Sequence, residues 1–291
     1  MGSKKTRAHS PQAWIRKTGL VLIVGVVGAL QVPGCSVMPF DASPANPTIA
    51  SKQGSQGAQA KPGRAPEATA RNGGTLADFS ACPQHFPGYV PAVAWPGRQR
   101  ALCFEGFAVL YSGDSKTPVY TVERMTARTV AAAKYIKRVD KFYPEARLPS
   151  AERAQLADYS GSGYDRGHMA PAGDMPTDAA KAQSFSLANM VPQAPQLNQH
   201  DWSQIEQATR KYAARAGGDL FVFTGPAFDQ RPATIGAGRV WVPSHTWKVV
   251  LSRADDRVWA YWMENTNGKH SLQPISYAEF SRRSGLALLQ D

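Results

Sequence analysis

From residue 107 onward, short runs of β-branched and aromatic residues alternate with stretches of helical periodicity. FAVLYS (107–112) and PVYTVERM (118–125) are two such runs, and GDSK between them predicts a hairpin. The Ala-rich TARTVAAAKYI (126–136) predicts a helix. LFVFTG (220–225), RVWVP (239–243), TWKVVLS (246–252) and RVWAYWME (257–264) read as further strands separated by turn residues. WSQIEQATRKYAARAG (202–217) carries Ile205, Ala208, Tyr212 and Ala213 at helical spacing and stops at Gly217 and Gly218. SYAEFSRRSG (276–285) closes the chain as a last helix. The strands cluster without strict alternation with helices. That pattern favours an α+β fold with an antiparallel sheet over a doubly wound one.

The first third of the chain has a different pattern. A basic start is followed by the apolar run LVLIVGVVGAL (20–30), too short to span a bilayer comfortably. Residues 1–35 therefore read as an export signal. VPGC places Cys35 after a small residue, as at a lipoprotein cleavage site, and acylation of Cys35 would anchor the protein to a membrane. A plain signal peptide or an uncleaved anchor is the alternative. MGSKKT also fits the N-myristoylation pattern, a match we treat as accidental with a signal-like run directly behind it. Residues 36–78 are rich in Ala, Pro, Gly, Ser and Gln and nearly free of aromatics, so they read as a disordered linker. Residues 79–291 are left as one domain. The expected location is the periplasm, a membrane surface or the outside of the cell.

The formal net charge is +11, which invites a polyanionic partner. Roughly half of that excess sits on Lys4, Lys5, Arg7, Arg16 and Lys17 of the leader, so the body is only mildly basic. Cys82 and Cys103 lie 21 residues apart at the start of the body. In an exported protein their simplest reading is one disulfide, with two free buried thiols as the alternative. Neither has a second ligand nearby at zinc spacing.

The chemistry concentrates in GSGYDRGHMAPAGDM (161–175), a strand-like core between glycine turns. Cleaving a phosphodiester needs a base for water, positive charge for the transition state and help for the leaving oxygen. His168 titrates near neutral pH in its ordinary state and suits the first task. Arg166, two residues earlier, shares its side of an extended strand and can fork onto phosphate oxygens. An isolated His is more often structural than catalytic, so the next segment decides. In LANMVPQAPQLNQHDWSQIEQ (187–207), Asn198 falls just ahead of the helix starting near Trp202, and Glu206 lies one turn inside it. Asn offers a neutral oxygen that suits Mg²⁺, and Glu can hold one of the ion's waters. Taken singly, each would be read as a turn residue and a solvated helix face.

YDRGHM followed about thirty residues on by LNQ, a Trp and a Glu resembles the DNA/RNA non-specific endonucleases of the ββα-metal (His-Me finger) superfamily. That group includes secreted bacterial nucleases and mitochondrial endonuclease G. The resemblance covers nearly the whole body, RVDKFYP (138–144), FSLANMVPQAPQLNQ and LFVFTGP included. It implies the ββα-metal nuclease fold, a central antiparallel sheet flanked by helices. It implies His168 as general base, Arg166 near the scissile phosphate, Asn198 as the direct Mg²⁺ ligand and Glu206 as the holder of a metal-bound water. Arg138 matches a further arginine that stabilises the transition state. Asp165 would orient the strand and loop rather than react. Mn²⁺ is expected to substitute for Mg²⁺, and DNA and RNA are the implied substrates. The family usually carries small residues after Asn-Gln, where this chain has His200 and Asp201; we read them as a surface variation. An inactive nucleic-acid-binding lipoprotein, a hydrolase of small phosphodiesters and a delivered toxin with a protective inhibitor protein are the competing readings.

Overall fold

The computed structural model describes residues 78–290. The export signal expected over 1–35, Cys35 with it, and nearly all of the linker expected over 36–78 lie outside the described residues. In chain order the elements begin with β1 (Gln99–Cys103), β2 (Ala108–Ser112), β3 (Thr117–Met125), α1 (Ala127–Ala133) and α2 (Leu156–Tyr159). Then come β4 (Asp165–His168), α3 (Asp178–Gln183), β5 (Met190–Gln193), a π-helical turn (Leu197–Trp202) and α4 (Ser203–Ala213). The chain closes with β6 (Leu220–Ala227), β7 (Thr234–Ile235), β8 (Val240–Trp241), β9 (His245–Ser252), β10 (Arg257–Glu264) and α5 (Tyr277–Ser284).

Six strands form one antiparallel sheet in the order β1-β2-β3-β6-β9-β10. The expected α+β class and the hairpin across GDSK are both present. Alternate residues of a strand face opposite sides of the sheet. Ala108 and Leu110 of β2 therefore join one core, with Phe223, Val249, Trp247 and Phe280. Val109 and Tyr111 join another on the opposite face, with Met175, Ala180 and Ala188. Both faces are covered, so every residue of β2 is buried and the strand reads as a continuous apolar run rather than an alternating one. The last helix, α5, begins where Ser276 accepts a hydrogen bond from the Glu279 N–H at 3.1 Å. It ends at Gly285, whose φ of +69° is the left-handed cap that glycine accepts freely. Its buried Phe280 packs on Trp247 of β9. The Cys82–Cys103 disulfide is formed and ties the N-terminal segment to β1.

Three expectations need correction. RVWVP was expected to be a strand of 239–243, yet only Val240–Trp241 pairs, in a separate ribbon with Thr234–Ile235. Arg239 has a φ of +56° and Pro243 has no N–H to donate, so pairing is cut on both sides. The helix expected to start near Trp202 begins earlier, and Asn198 lies inside it rather than ahead of it. The reason is the π-helical turn. Leu197 and Trp202 are both fully buried five residues apart, a spacing outside the 3.6-residue pattern. Further along α4, Ala208 is exposed and Thr209 is buried in its stead. The Thr209 hydroxyl escapes an unpaired fate by donating to the Ile205 carbonyl at 2.9 Å.

Candidate active site

β4 is the DRGH tetrapeptide itself. It pairs with β5 in a small ribbon of its own, with Asp165 opposite Gln193 and His168 opposite Met190. Gly167 is dictated by that ribbon, because a Cβ there would run into the Gln193 side chain. The turn after His168 is clamped by Asn189, which is fully buried. Its side chain accepts from the Ala170 N–H at 2.8 Å and donates to the carbonyls of Ala170 and Ser184 at 2.8 and 2.9 Å. β4 and β5 followed by the helical rod of the π turn and α4 make the ββα unit that the resemblance implies.

These elements border an open cleft of about 740 Å³. His168, Arg166, Asn198, Glu206 and Arg138 all line it, so the structure brings together every site residue expected from sequence. His168 is 9 % exposed, with its ring edge-on to Phe185 at 5.0 Å and tilted against Phe142 at 5.8 Å. Burial first, and then the positive charge of Arg138, pushes His168 down to about 3, with Asp140 opposing. The free protein therefore holds it neutral, rather than titrating near neutral pH as its ordinary value implies. A phosphate anion beside it would offset Arg138 and raise its basicity.

Arg166 lies over the Phe142 ring at 4.2 Å and makes no ion pair among the described residues; its Nε is buried without a partner. Arg138 is exposed and pairs with Asp140 at 2.5 Å. Asn198 donates its amide N–H to Asp165 Oδ2 at 2.9 Å, and Gln199 donates to the same oxygen at 2.9 Å. Asp165 thus fixes which way the Asn198 amide faces and leaves its carbonyl oxygen free to accept. Glu206 stands in the first turn of α4. Burial raises its carboxyl to about 7, with Lys248 pulling down and Asp174 pushing up. An arriving cation would discharge that proton.

Arg210 was not expected from sequence. It follows Glu206 by one helical turn, lines the same cleft, and is held by buried Asp174 at 2.6 Å. The i, i+4 spacing of Glu206 and Arg210 on one helix face was the available clue. Behind them Glu123 and Lys248 are buried, the latter donating to Thr224 Oγ1 at 2.7 Å. Burial, and then the charge of Asp174, lifts the Glu123 carboxyl well above the usual range. His200 is exposed, and Asp201 accepts from His270 Nδ1 at 2.9 Å; neither lines the cleft.

The donors available to a metal are oxygens, the Asn198 carbonyl and the Glu206 carboxylate. Among the described residues no three His, Cys, Asp or Glu cluster at metal-binding distance. Such a sparse, all-oxygen set fits Mg²⁺, which keeps most of its waters, and does not fit zinc.

The sequence model of the DNA/RNA non-specific endonucleases matches residues 87–290. Nuclease C1 of Cunninghamella echinulata var. echinulata is 37% identical over 169 residues, 54% of this chain and 67% of that protein. Mitochondrial Nuclease EXOG of Xenopus laevis is 35% identical over 159 residues, 50% of this chain and 43% of that protein. Mitochondrial Endonuclease G of Homo sapiens is 30% identical over 170 residues, 55% of this chain and 57% of that protein. The matched region thus spans two thirds of the first relative and about half of the other two. Among solved structures, that of EndoG in complex with EndoGI superposes with a TM-score of 0.59 at 28% identity, covering 67% of this chain and 87% of that one.

Proposed function

We propose that this chain, which belongs to the DNA/RNA non-specific endonuclease family, hydrolyses internal phosphodiester bonds of DNA and RNA in a Mg²⁺-dependent, sequence-blind reaction. The observation that carries the reading is the convergence in one cleft of His168, Arg166, Asn198, Glu206 and Arg138, drawn from three separate stretches of chain.

The proposed chemistry assigns each residue a task. His168, neutral in its aromatic niche, takes a proton from water. The water oxygen attacks phosphorus, the P–O3′ bond breaks and the departing 3′ oxygen takes a proton from solvent, giving 5′-phosphate and 3′-hydroxyl ends. Arg166, with no carboxylate partner among the described residues, and Arg138 supply positive charge to the phosphate oxygens as negative charge builds. Arg210, anchored by Asp174, presents a third cation from the floor. Asn198 would hold Mg²⁺ directly and Glu206 would hold one of its waters. When bound, the ion supplies charge neutralisation at the phosphate and the leaving oxygen. Mn²⁺, which also favours oxygen donors, substitutes. The assigned groups address phosphate rather than base edges, which supports indifference to sequence and to the 2′-hydroxyl.

The disulfide supports an oxidising location, hence export as a periplasmic, membrane-anchored or secreted protein. Acylation of Cys35 would supply a membrane anchor. EndoG, a structural neighbour, was solved with EndoGI in a study of its inhibition. An inhibitor protein covering the cleft is accordingly a partner we propose here.

Plasmid nicking and total-RNA digestion, with Mg²⁺ and with EDTA, test the reading. Wild type degrades both polymers only with the metal, and His168→Ala is slower by about a hundredfold or more. Folded wild type that leaves both polymers intact across several divalent metals would refute it.

A further inference from the structure

Between α1 and the cleft runs the segment KYIKRVDK (134–141). It carries Lys134, Lys137, Arg138 and Lys141 against the single acid Asp140. Its aromatic residue, Tyr135, is 88% exposed, more than any other large hydrophobic residue in the described chain. One exposed apolar side chain on a surface is ordinary. Tyr135 differs because the backbone that carries it is tied down while its ring is left free.

The Tyr135 N–H donates to the Ala132 carbonyl at 3.1 Å, and the Ile136 N–H to the Ala133 carbonyl at 3.3 Å. Lys181, buried in α3, donates from Nζ to the carbonyls of Ala133 at 3.4 Å and Ile136 at 2.7 Å. A desolvated ammonium is costly unless it is well bonded. Here its charge is spent on the two carbonyls that bracket Tyr135. The segment then runs directly into the cleft wall through Arg138 and Phe142.

An outward aromatic ring on an anchored backbone, among cations beside a phosphate-cleaving site, has a chemical complement. The cations attract a phosphate backbone, and the ring face takes an unpaired base. A duplex offers the cations its phosphates but keeps its base faces stacked inside. We propose that residues 134–141 form a platform for single-stranded nucleic acid next to the scissile phosphate, with Tyr135 stacking on an unpaired base. This inference rests on the nuclease reading. It assigns the enzyme tighter binding of single strands and of unpaired regions, set by one side chain outside the catalytic machinery.

The test uses the full chain in EDTA, so that binding is read without cleavage. The probes are a labelled single-stranded oligonucleotide and a labelled hairpin duplex, followed by fluorescence anisotropy. Tyr135→Ala raises the single-strand Kd by about fivefold to a hundredfold and leaves the duplex Kd within about twofold. Tyr135→Trp keeps wild-type affinity, whereas Tyr135→Leu, apolar but without a π face, behaves like Ala. Nicking of duplex plasmid with Mg²⁺ stays at the wild-type rate in all three, which shows that they fold. Unchanged single-strand affinity in Tyr135→Ala, or equal weakening toward both probes, overturns the platform. The same pattern with normal plasmid nicking leaves the nuclease reading standing. Wild type that neither binds nor cuts any nucleic acid removes both.

Discussion

Asp165 accepts two amide N–H groups on one carboxylate oxygen, from Asn198 and Gln199. These bonds hold the Asn198 amide in one orientation, and on the proposed reading the carbonyl is the atom offered to a cation. Replacing such a partner typically costs about 10- to 100-fold in metal affinity or activity. Asp165→Ala should therefore raise the Mg²⁺ concentration needed for half-maximal nicking by that order, with the melting temperature of the metal-free protein little changed. An unaltered Mg²⁺ requirement would relieve Asp165 of this role. The residues of the DRGH motif, with Asn198 and Glu206 beyond it, were legible because they recur as a spaced set. Arg210 and Asp174 were not. Their ion pair closes across 36 residues, and the one local clue, the helical spacing of Arg210 from Glu206, says nothing of Asp174. The depressed His168 was equally hidden, because Phe142, Phe185 and Arg138 surround it only after folding.

The β4–β5 ribbon is two four-residue strands, and it positions the whole motif. It tolerates no Cβ at residue 167, since the Gln193 side chain already occupies that space. Gly167→Ala should cost roughly 1–3 kcal/mol through overpacking. Urea unfolding reads that loss directly, and because the Gln193 Cβ itself lies 2.6 Å from the added methyl, the obstacle is removed by Gln193→Gly, on which background Gly167→Ala should cost much less. An undiminished cost on that background would mean that something other than Gln193 sets the need for glycine. The long strands of the main sheet were readable because they are β-branched and aromatic over five or more residues. β5 was not, since MVPQ is short and contains Pro192, which argues against a strand in isolation. The early start of the rod bearing Asn198 was masked in the same way, by a turn whose buried residues fall out of α-helical step.

Across the whole molecule, both faces of the sheet are covered and the site lies among the elements packed over one of them. The other face is sealed partly by the N-terminal segment, whose Phe79 and Phe86 join the core there. The Cys82–Cys103 disulfide staples that segment to β1, an edge strand, across a separation of 21 residues. Closing a loop of that length is worth about 3 kcal/mol through the unfolded chain. Cys82→Ser with Cys103→Ser should lower stability by about that amount in urea. The cleft chemistry of the molecules that remain folded should persist, because neither cysteine borders the cleft. Loss of specific activity at full folding would contradict that separation of staple from site. The pairing itself was legible from the spacing and the export pattern. The layering was not, because residues on the two faces of a fully buried strand are equally apolar.

Asn198 and Glu206 stand on one helical rod, eight residues apart. Along plain α-helix that interval ends roughly 80° past two full turns, with the two side chains well off a common line. A single π turn takes in one residue more than the α turn it replaces. The rod therefore rotates over eight residues about as far as α-helix does over seven, which falls roughly 20° short of two turns. The pair is brought into angular phase by a surplus residue, much as a vernier makes two unequal scales agree. A chain with the shorter interval and no π turn would present the same two oxygens at the same angle. What a cation in this cleft would sense is rotation about the helix axis, whatever count of residues produces it.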